Sequence, residues 1–155
     1  MEIVDDTLPV DLEAFLARSL FCFLATSAEG KPRVSPLWYV WEEGAIWIVA
    51  DTDTKSYPDR VEQNPTAALA VVDFDPAVGR VQHVGMRGTA ALEPFDEARA
   101  NRLFRRYLGD DDSAWDERFT GPWDRQRWRF IRFEPDTVVA RDQSYEGSLD
   151  SAELR

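Results

Sequence analysis

The chain has 155 residues, a formal net charge of −11 at pH 7 and 44% hydrophobic residues, enough for one domain that buries roughly two-thirds of its unfolded surface. The acid excess argues against a nucleic-acid binder, which needs a basic face, and no apolar run approaches the ~20 residues of a membrane helix. An acidic N-terminus without a signal-peptide pattern, and a single cysteine (Cys22) inside an apolar strand, point to the cytoplasm and to a buried, inert thiol.

Leu12, Phe15 and Leu16, after Pro9, have the spacing of a short amphipathic helix. An apolar strand over 21–26 follows, and Ser27, Ala28, Glu29 and Gly30 read as a turn. A second strand over 33–41 brings Val34, Leu37, Trp38, Tyr39, Val40 and Trp41 together. It contains Pro36, whose missing N–H belongs at a sheet edge or a bulge. Glu42, Glu43 and Gly44 make a hairpin into a third strand, 45–50. Asp51, Thr52, Asp53, Thr54 and Lys55 then lead to a helix over 56–64, closed by Asn64 and Pro65.

A further strand spans 67–74, and a loop over 75–79 separates it from a long strand, 81–92. There Gly85 and Gly88 predict a bulge or the close approach of another backbone. Ala100, Leu103, Phe104, Tyr107 and Leu108 fall at helical spacing between Pro94 and Gly109. Arg99, Arg102, Arg105 and Arg106 are expected on the solvated outer side of that helix. Residues 110–119 read as loop or short helix. Two last strands, 128–133 and 137–140, are separated by Glu134, Pro135 and Asp136, and the tail 143–155 reads as polar and mobile. Six to seven strands joined mostly by hairpins, with helices between them, predict a single α+β domain over 1–142. Its antiparallel sheet would hide its edges in a barrel; the βαβ alternation of a doubly wound fold is absent.

His83 is the only histidine and no serine sits in a nucleophile elbow, so hydrolytic triads find no support. No cluster of Cys, His and carboxylates has metal spacing. His83 reads either as a hydrogen-bonded strand residue or as a cofactor contact. The turn at 51–55 says more. Thr52 and Thr54 carry hydroxyls, Lys55 is one of only two lysines, and the helix behind it offers free N–H groups. The turn is either a phosphate seat or an ordinary strand-to-helix loop capped by Thr54 or Ser56. In so acidic a chain an anionic ligand needs local cations, for which Lys55, Arg60, Arg33 and Arg87 are the candidates.

Taken in order and spacing, several segments resemble the pyridoxamine 5'-phosphate oxidase-like FMN-binding split-barrel family, from about residue 21 to 140. They are Ala25-Thr26, Gly30-Lys31-Pro32, Arg33-Val34-Ser35-Pro36-Leu37-Trp38, Ile46-Trp47-Ile48-Val49, Thr52-Asp53-Thr54-Lys55, Asn64-Pro65, Val84-Gly85-Met86-Arg87-Gly88-Thr89-Ala90 and Phe130-Ile131-Arg132-Phe133-Glu134-Pro135. The resemblance implies an antiparallel split barrel and a homodimer with one FMN in each of two interface clefts. It implies that Ser35, Pro36, Leu37 and Trp38 lie on the strand whose backbone faces the flavin ring, that Ile48 and Val49 flank it, and that Thr54 and Lys55 hold the phosphate. Thr52, Arg33 and Arg60 join this cofactor-binding set, and His83 stands where family members place a glutamine that reaches the flavin from the partner subunit.

Two departures limit the likeness. Counted from the preceding strand Lys55 aligns with the family lysine, but counted back from Asn64 and Pro65 it lies two residues too far upstream. The C-terminal signature that true pyridoxamine-phosphate oxidases use for pyridoxal-type substrates is missing. The expected activity is therefore flavin redox chemistry on a small molecule, not vitamin B6 chemistry. No side chain is an obvious acid or base, so no catalytic residue is assigned. A deazaflavin is the alternative cofactor, its longer anionic tail calling on Arg60 or Arg87. A non-catalytic flavin or haem carrier or sensor is the other alternative, with His83 as its only imidazole. Trp38, Trp41 and Trp47 read as core or interface rather than as stacking partners.

Overall fold

A computed structural model describes residues 1–147. Its elements are, in chain order, β1 (Glu2–Asp6), α1 (Leu12–Leu16), β2 (Cys22–Ala28), β3 (Lys31–Leu37), β4 (Val40–Glu42), β5 (Ala45–Asp51), α2 (Tyr57–Gln63), β6 (Thr66–Asp75), β7 (Arg80–Pro94), α3 (Glu97–Leu108) and β8 (Trp128–Asp142). Two 3-10 turns, Asp112–Ala114 and Glu117–Phe119, lie between α3 and β8. The strands form one sheet in the order β3-β2-β6-β7-β8-β5-β4, with β1 added parallel to β8. This is the α+β split barrel expected from the sequence, with eight strands instead of six or seven.

The strand expected over 33–41 is two strands, interrupted at Trp38 and Tyr39, because β3 and β4 are the two opposite edges of the sheet. Two residues carry the chain from one edge to the other, so the sheet must curl until its edges nearly meet. The split lies between them. Pro36 is thus on an edge strand, where its missing donor breaks no ladder.

The two strands expected over 128–140 are one 15-residue strand. Gly88 pairs with Pro135 and Arg87 with Thr137, leaving Asp136 as the extra residue of a bulge that absorbs the proline. The bulge presses the chain inward at Gly88, where a methyl group would overlap the Glu134 carbonyl oxygen. Strand β1 was not expected, because its Glu2, Ile3 and Val4 are all exposed and show no alternation.

Leu24, Ile48, Leu69, Val84, Ile131 and Val138, pointing inward from successive strands, fill the barrel together with Phe15 and Leu16 of α1. A second cluster lies outside the barrel, where Ala100, Leu103 and Phe104 of α3 pack on Val40, Trp47 and Phe130. Asp96 caps α3 by accepting from the Arg99 N–H at 3.1 Å. The arginines of α3 are only in part the solvated face expected: Arg102 and Arg105 are exposed, Arg99 and Arg106 half-buried. Arg99 and Arg102 donate to the Glu42 carboxylate at 2.9 and 2.6 Å, and the Arg99 guanidinium lies 3.6 Å from the Trp47 ring centroid. Arg106 lies over Tyr39. The helix crosses the β4–β5 hairpin, which brings Glu42 within their reach; Arg105 stays exposed.

Tyr107 of α3 closes the seam of the split. Its hydroxyl accepts from the Tyr39 N–H at 3.2 Å and donates to the Leu20 carbonyl at 2.7 Å. Cys22 is fully buried, and burial pushes its thiol up to about 12, which makes it the inert group expected. The Gln143 and Tyr145 N–H groups donate to the Val81 and Gly79 carbonyls at 2.8 and 2.9 Å, holding the first tail residues to the start of β7. The rest of the tail, 148–155, lies outside the described residues.

Candidate functional site

Beside the split is a cavity of about 660 Å³. Pro36, Leu37 and Trp38 form one wall at the end of β3, and Ile48 and Val49 of β5 form the floor. Asp51 and Lys55 stand at one end. Leu103 and Phe104 of α3, and Phe119, Trp123 and Trp128 from the segment leading into β8, complete the lining. Its size and its apolar lining with a few charged groups are those of a small-molecule site.

Trp38 is held between Tyr107, at 4.7 Å and 2° between planes, and Phe119, at 5.6 Å. Both ring faces are covered, so it offers the cavity an edge rather than a stacking surface. Trp123 packs on Phe95 and Phe104 and meets Trp128 edge-on at 5.1 Å. These contacts make a rigid aromatic wall.

The 51–55 turn is built around Asp51, which is 9% exposed. Arg127 grips its carboxylate with two hydrogen bonds, Nε to Oδ1 and a terminal nitrogen to Oδ2, each 2.8 Å. Thr54 donates its hydroxyl to Asp51 Oδ2 at 2.7 Å, and the Asp53 N–H reaches Oδ1 at 3.2 Å. The Arg127 guanidinium above all, with Thr54 and the Asp53 amide, holds the Asp51 carboxyl well below the usual carboxylate range, against the opposing effect of burial. Thr52 donates its hydroxyl to the Arg127 carbonyl at 2.7 Å. Both threonine hydroxyls are therefore engaged, Thr54 within the turn and Thr52 with the chain before β8. Lys55 is different: its N–H closes the turn on the Asp51 carbonyl at 3.0 Å, while its side chain is exposed, lines the cavity and pairs with no carboxylate among the described residues.

Of the residues singled out in the sequence, the cavity gathers Pro36, Leu37, Trp38, Ile48, Val49 and Lys55. Thr52 and Thr54 stand behind its wall. Ser35 faces the barrel interior opposite Leu24. Arg60 donates to Thr26 Oγ1 at 2.8 Å and to Ser56 Oγ at 2.7 Å, so Ser56 serves Arg60 rather than capping α2. Arg33 is paired across the sheet with Thr26 and is exposed. Among the described residues neither Arg33 nor Arg60 meets a carboxylate. His83 and Arg87 point outward from β7, His83 beside Val72 and Arg141, and neither lines the cavity of its own chain.

Sequence reasoning missed Asp51, Arg127, Phe119, Trp123 and Trp128. The run of aromatic residues over 115–128 was the available signal for the wall. Nothing local marks Arg127, whose partner lies 76 residues away. On the outward sheet face Phe23, Val34, Val72 and Phe74 are exposed. With the small residues Ala25, Ala68, Ala70 and Gly85 they share the outward face of β3, β2, β6 and β7, making an apolar patch.

The fold recurs among solved structures. A conserved hypothetical protein from Mycobacterium tuberculosis superimposes with a TM-score of 0.73 at 17% identity, over 98% of this chain and 99% of that one. An F420 reductase gives 0.64 at 25% identity, over 84% and 98%. An FAD-binding protein from Mesorhizobium loti gives 0.65 at 15% identity, over 89% and 96%. No curated protein sequence matches the chain significantly. The family model for pyridoxamine 5'-phosphate oxidase covers residues 8–141, almost the whole barrel just described, and the chain belongs to that family.

Proposed function

We propose that the protein is a dimeric, cytoplasmic flavin-type redox protein that seats FMN in the cavity beside the split and acts on a small molecule. The observation that carries this reading is the pairing of an apolar cleft with Lys55. Ile48, Val49, Pro36 and Leu37 suit a flat ring, the edge of β3 leaves backbone groups unpaired for the ring's polar rim, and Lys55 offers an uncompensated cation for a phosphate. The donor set of the cleft fits a flavin phosphate. When bound, the flavin supplies hydride transfer at its N5. The chain's own residues orient the ring between β3 and β5, exclude water with Phe119, Trp123 and Trp128, and fix the phosphate with Lys55.

A second copy of the chain completes the cleft in this proposal. The outward patch of Phe23, Val34, Val72 and Phe74 supports it, since monomers rarely leave so contiguous an apolar face open. So does its charge: in a chain of net charge −11 the residues lining the patch include Arg87 and no carboxylate, so self-repulsion there is small. His83 lies on that face, where a partner could bring it to the other cleft.

A deazaflavin is the second reading. It is favoured by the likeness to an F420 reductase and by Arg33 and Arg60, two cations that meet no carboxylate among the described residues, flank Thr26 and could take a longer anionic tail. The haem alternative gains no imidazole in the cleft from a single chain.

The test is the absorbance spectrum of the purified protein, followed by titration of the apoprotein with FMN and with the deazaflavin cofactor, read by quenching of the cavity tryptophans. The expected result is saturable binding of FMN. Tight binding of the deazaflavin with none of FMN selects the second reading, and a flat titration with both rejects the cofactor cleft.

A further inference from the structure

The charged groups on the cavity wall are Asp51, Lys55, Asp116, Arg118 and Arg127, two acids and three bases in a strongly acidic chain. Arg118 lies 3.3 Å from Asp116, and Arg127 binds Asp51 through two hydrogen bonds of 2.8 Å. Asp53 adds a third carboxylate 3.8 Å from Arg127. Among the described residues Lys55 alone of these cations has no carboxylate partner, and the hydrogen bond from its N–H to the Asp51 carbonyl makes the two residues the ends of one turn.

We infer that the Asp51–Arg127 pair sets the cavity's preference for anionic ligands, with Arg127 acting as a positioning residue that fixes the Lys55 turn and cancels the carboxylate that would repel a phosphate bound there. The inference rests on the cofactor reading above and deepens it. The pair has two separable effects. As a pin, it joins the 51–55 turn to the start of β8, a span the Thr52 hydroxyl bridges as well. As a charge, it decides the field at Lys55. Without Arg127 the wall carries no net positive charge. Without the Asp51 carboxylate it carries two, and Arg127 is free to turn to the ligand. In a cleft open to water, where screening approaches that of bulk solvent, a like charge a few ångströms from a phosphate weakens binding by about tenfold.

The experiment compares wild type with Arg127→Gln, Asp51→Asn and the double variant. Each is titrated with FMN and with riboflavin, which has the ring but no phosphate, by tryptophan quenching, and each is melted with and without inorganic pyrophosphate. Arg127→Gln should bind FMN about tenfold more weakly and riboflavin within twofold of wild type. The double variant should recover most of the FMN affinity although its pin is gone. Asp51→Asn should bind FMN several-fold more tightly with riboflavin unchanged, a gain that loss of a pin cannot produce, and it decides the matter if Arg127→Gln does not fold. Equal losses for FMN and riboflavin, or a double variant no better than Arg127→Gln, overturn the inference. If wild type binds neither flavin, the cofactor reading falls and pyrophosphate decides alone. Thermal protection lost in Arg127→Gln and regained in the double variant supports the inference, and equal or absent protection throughout overturns it.

Discussion

Tyr107→Phe removes one oxygen from the seam that joins the two edges of the sheet and leaves the ring in place. The Tyr39 N–H donates to that oxygen at 3.2 Å, and Tyr39 is completely buried. Its amide would be orphaned at a cost of about 1–3 kcal/mol, and loss of the 2.7 Å bond to the Leu20 carbonyl adds about 1 kcal/mol. The expected destabilisation is therefore about 2–4 kcal/mol, or about 5–15 °C in melting temperature for a domain of this size. Phenylalanine keeps the 4.7 Å stack on Trp38, so the loss reports the hydroxyl and not the packing. Tyr57→Phe is the control: its hydroxyl makes a single long bond, 3.4 Å to the Val49 carbonyl, and its loss should cost less than about 1 kcal/mol. Urea unfolding followed by tryptophan fluorescence measures both. A Tyr107→Phe loss below 1 kcal/mol, or one no larger than that of the control, would refute the seam.

Gly88→Ala should cost about 1–3 kcal/mol, because the bulge must move away from the Glu134 carbonyl, whereas Gly85→Ala, with open space at its Cβ, should leave monomer stability nearly unchanged in the same melts. Asp51 titrates below its unfolded value of about 3.9, so its stabilisation is complete above about pH 5 and is lost as the pH falls below about 4. The gap in unfolding free energy between wild type and Asp51→Asn should narrow from pH 6 to pH 3, and a constant gap would contradict the assignment. Lys55→Ala should weaken FMN by about 1.5–3 kcal/mol while sparing riboflavin, and unchanged FMN affinity by titration would remove the phosphate role. Val34→Glu combined with Phe74→Glu should give monomers in sedimentation velocity at neutral pH, and an unaltered dimer would place the interface elsewhere.

How much of this was legible depends on the range of the interaction. The spacing and ends of α3, Pro36 at a sheet edge and the close approach at Gly88 are local properties, and the sequence displays them. The break at Trp38 and Tyr39 is not local. An aromatic and β-branched run reads as one strand, and only closure of the whole sheet requires the chain to leave one edge and start the other. Pro135 misled in the opposite sense, since a bulge opposite Arg87 and Gly88 accommodates what would otherwise end a strand. Arg99 and Arg102 of α3 gave no local sign of their partner because Glu42 belongs to a hairpin more than fifty residues away. Lys55 stood out by the rarity of its residue type. The pair beside it stayed hidden, because an aspartate in a turn and an arginine before a strand carry no sign of each other.

The two seams hold different walls of the same cavity, and this lets the structure be read from binding data. Tyr107 fixes the stretch that positions Trp38 and the end of β3, which is the wall a ring would touch. Arg127 fixes the turn that presents Lys55, which is the end an anion would touch. Loosening the first should weaken FMN and riboflavin together, because both present the same ring to that wall. Loosening the second should separate them, because only one carries the charge. The Trp38 wall and the Lys55 end of the cleft are thus joined to the barrel by separate bonds from α3 and from the start of β8. Changes at the two ends should then add in free energy, as they do for sites that share no partner. A Tyr107→Phe, Arg127→Gln double variant whose loss of FMN affinity departs from the sum of the single losses by more than about 0.5 kcal/mol would show that the two walls move as one.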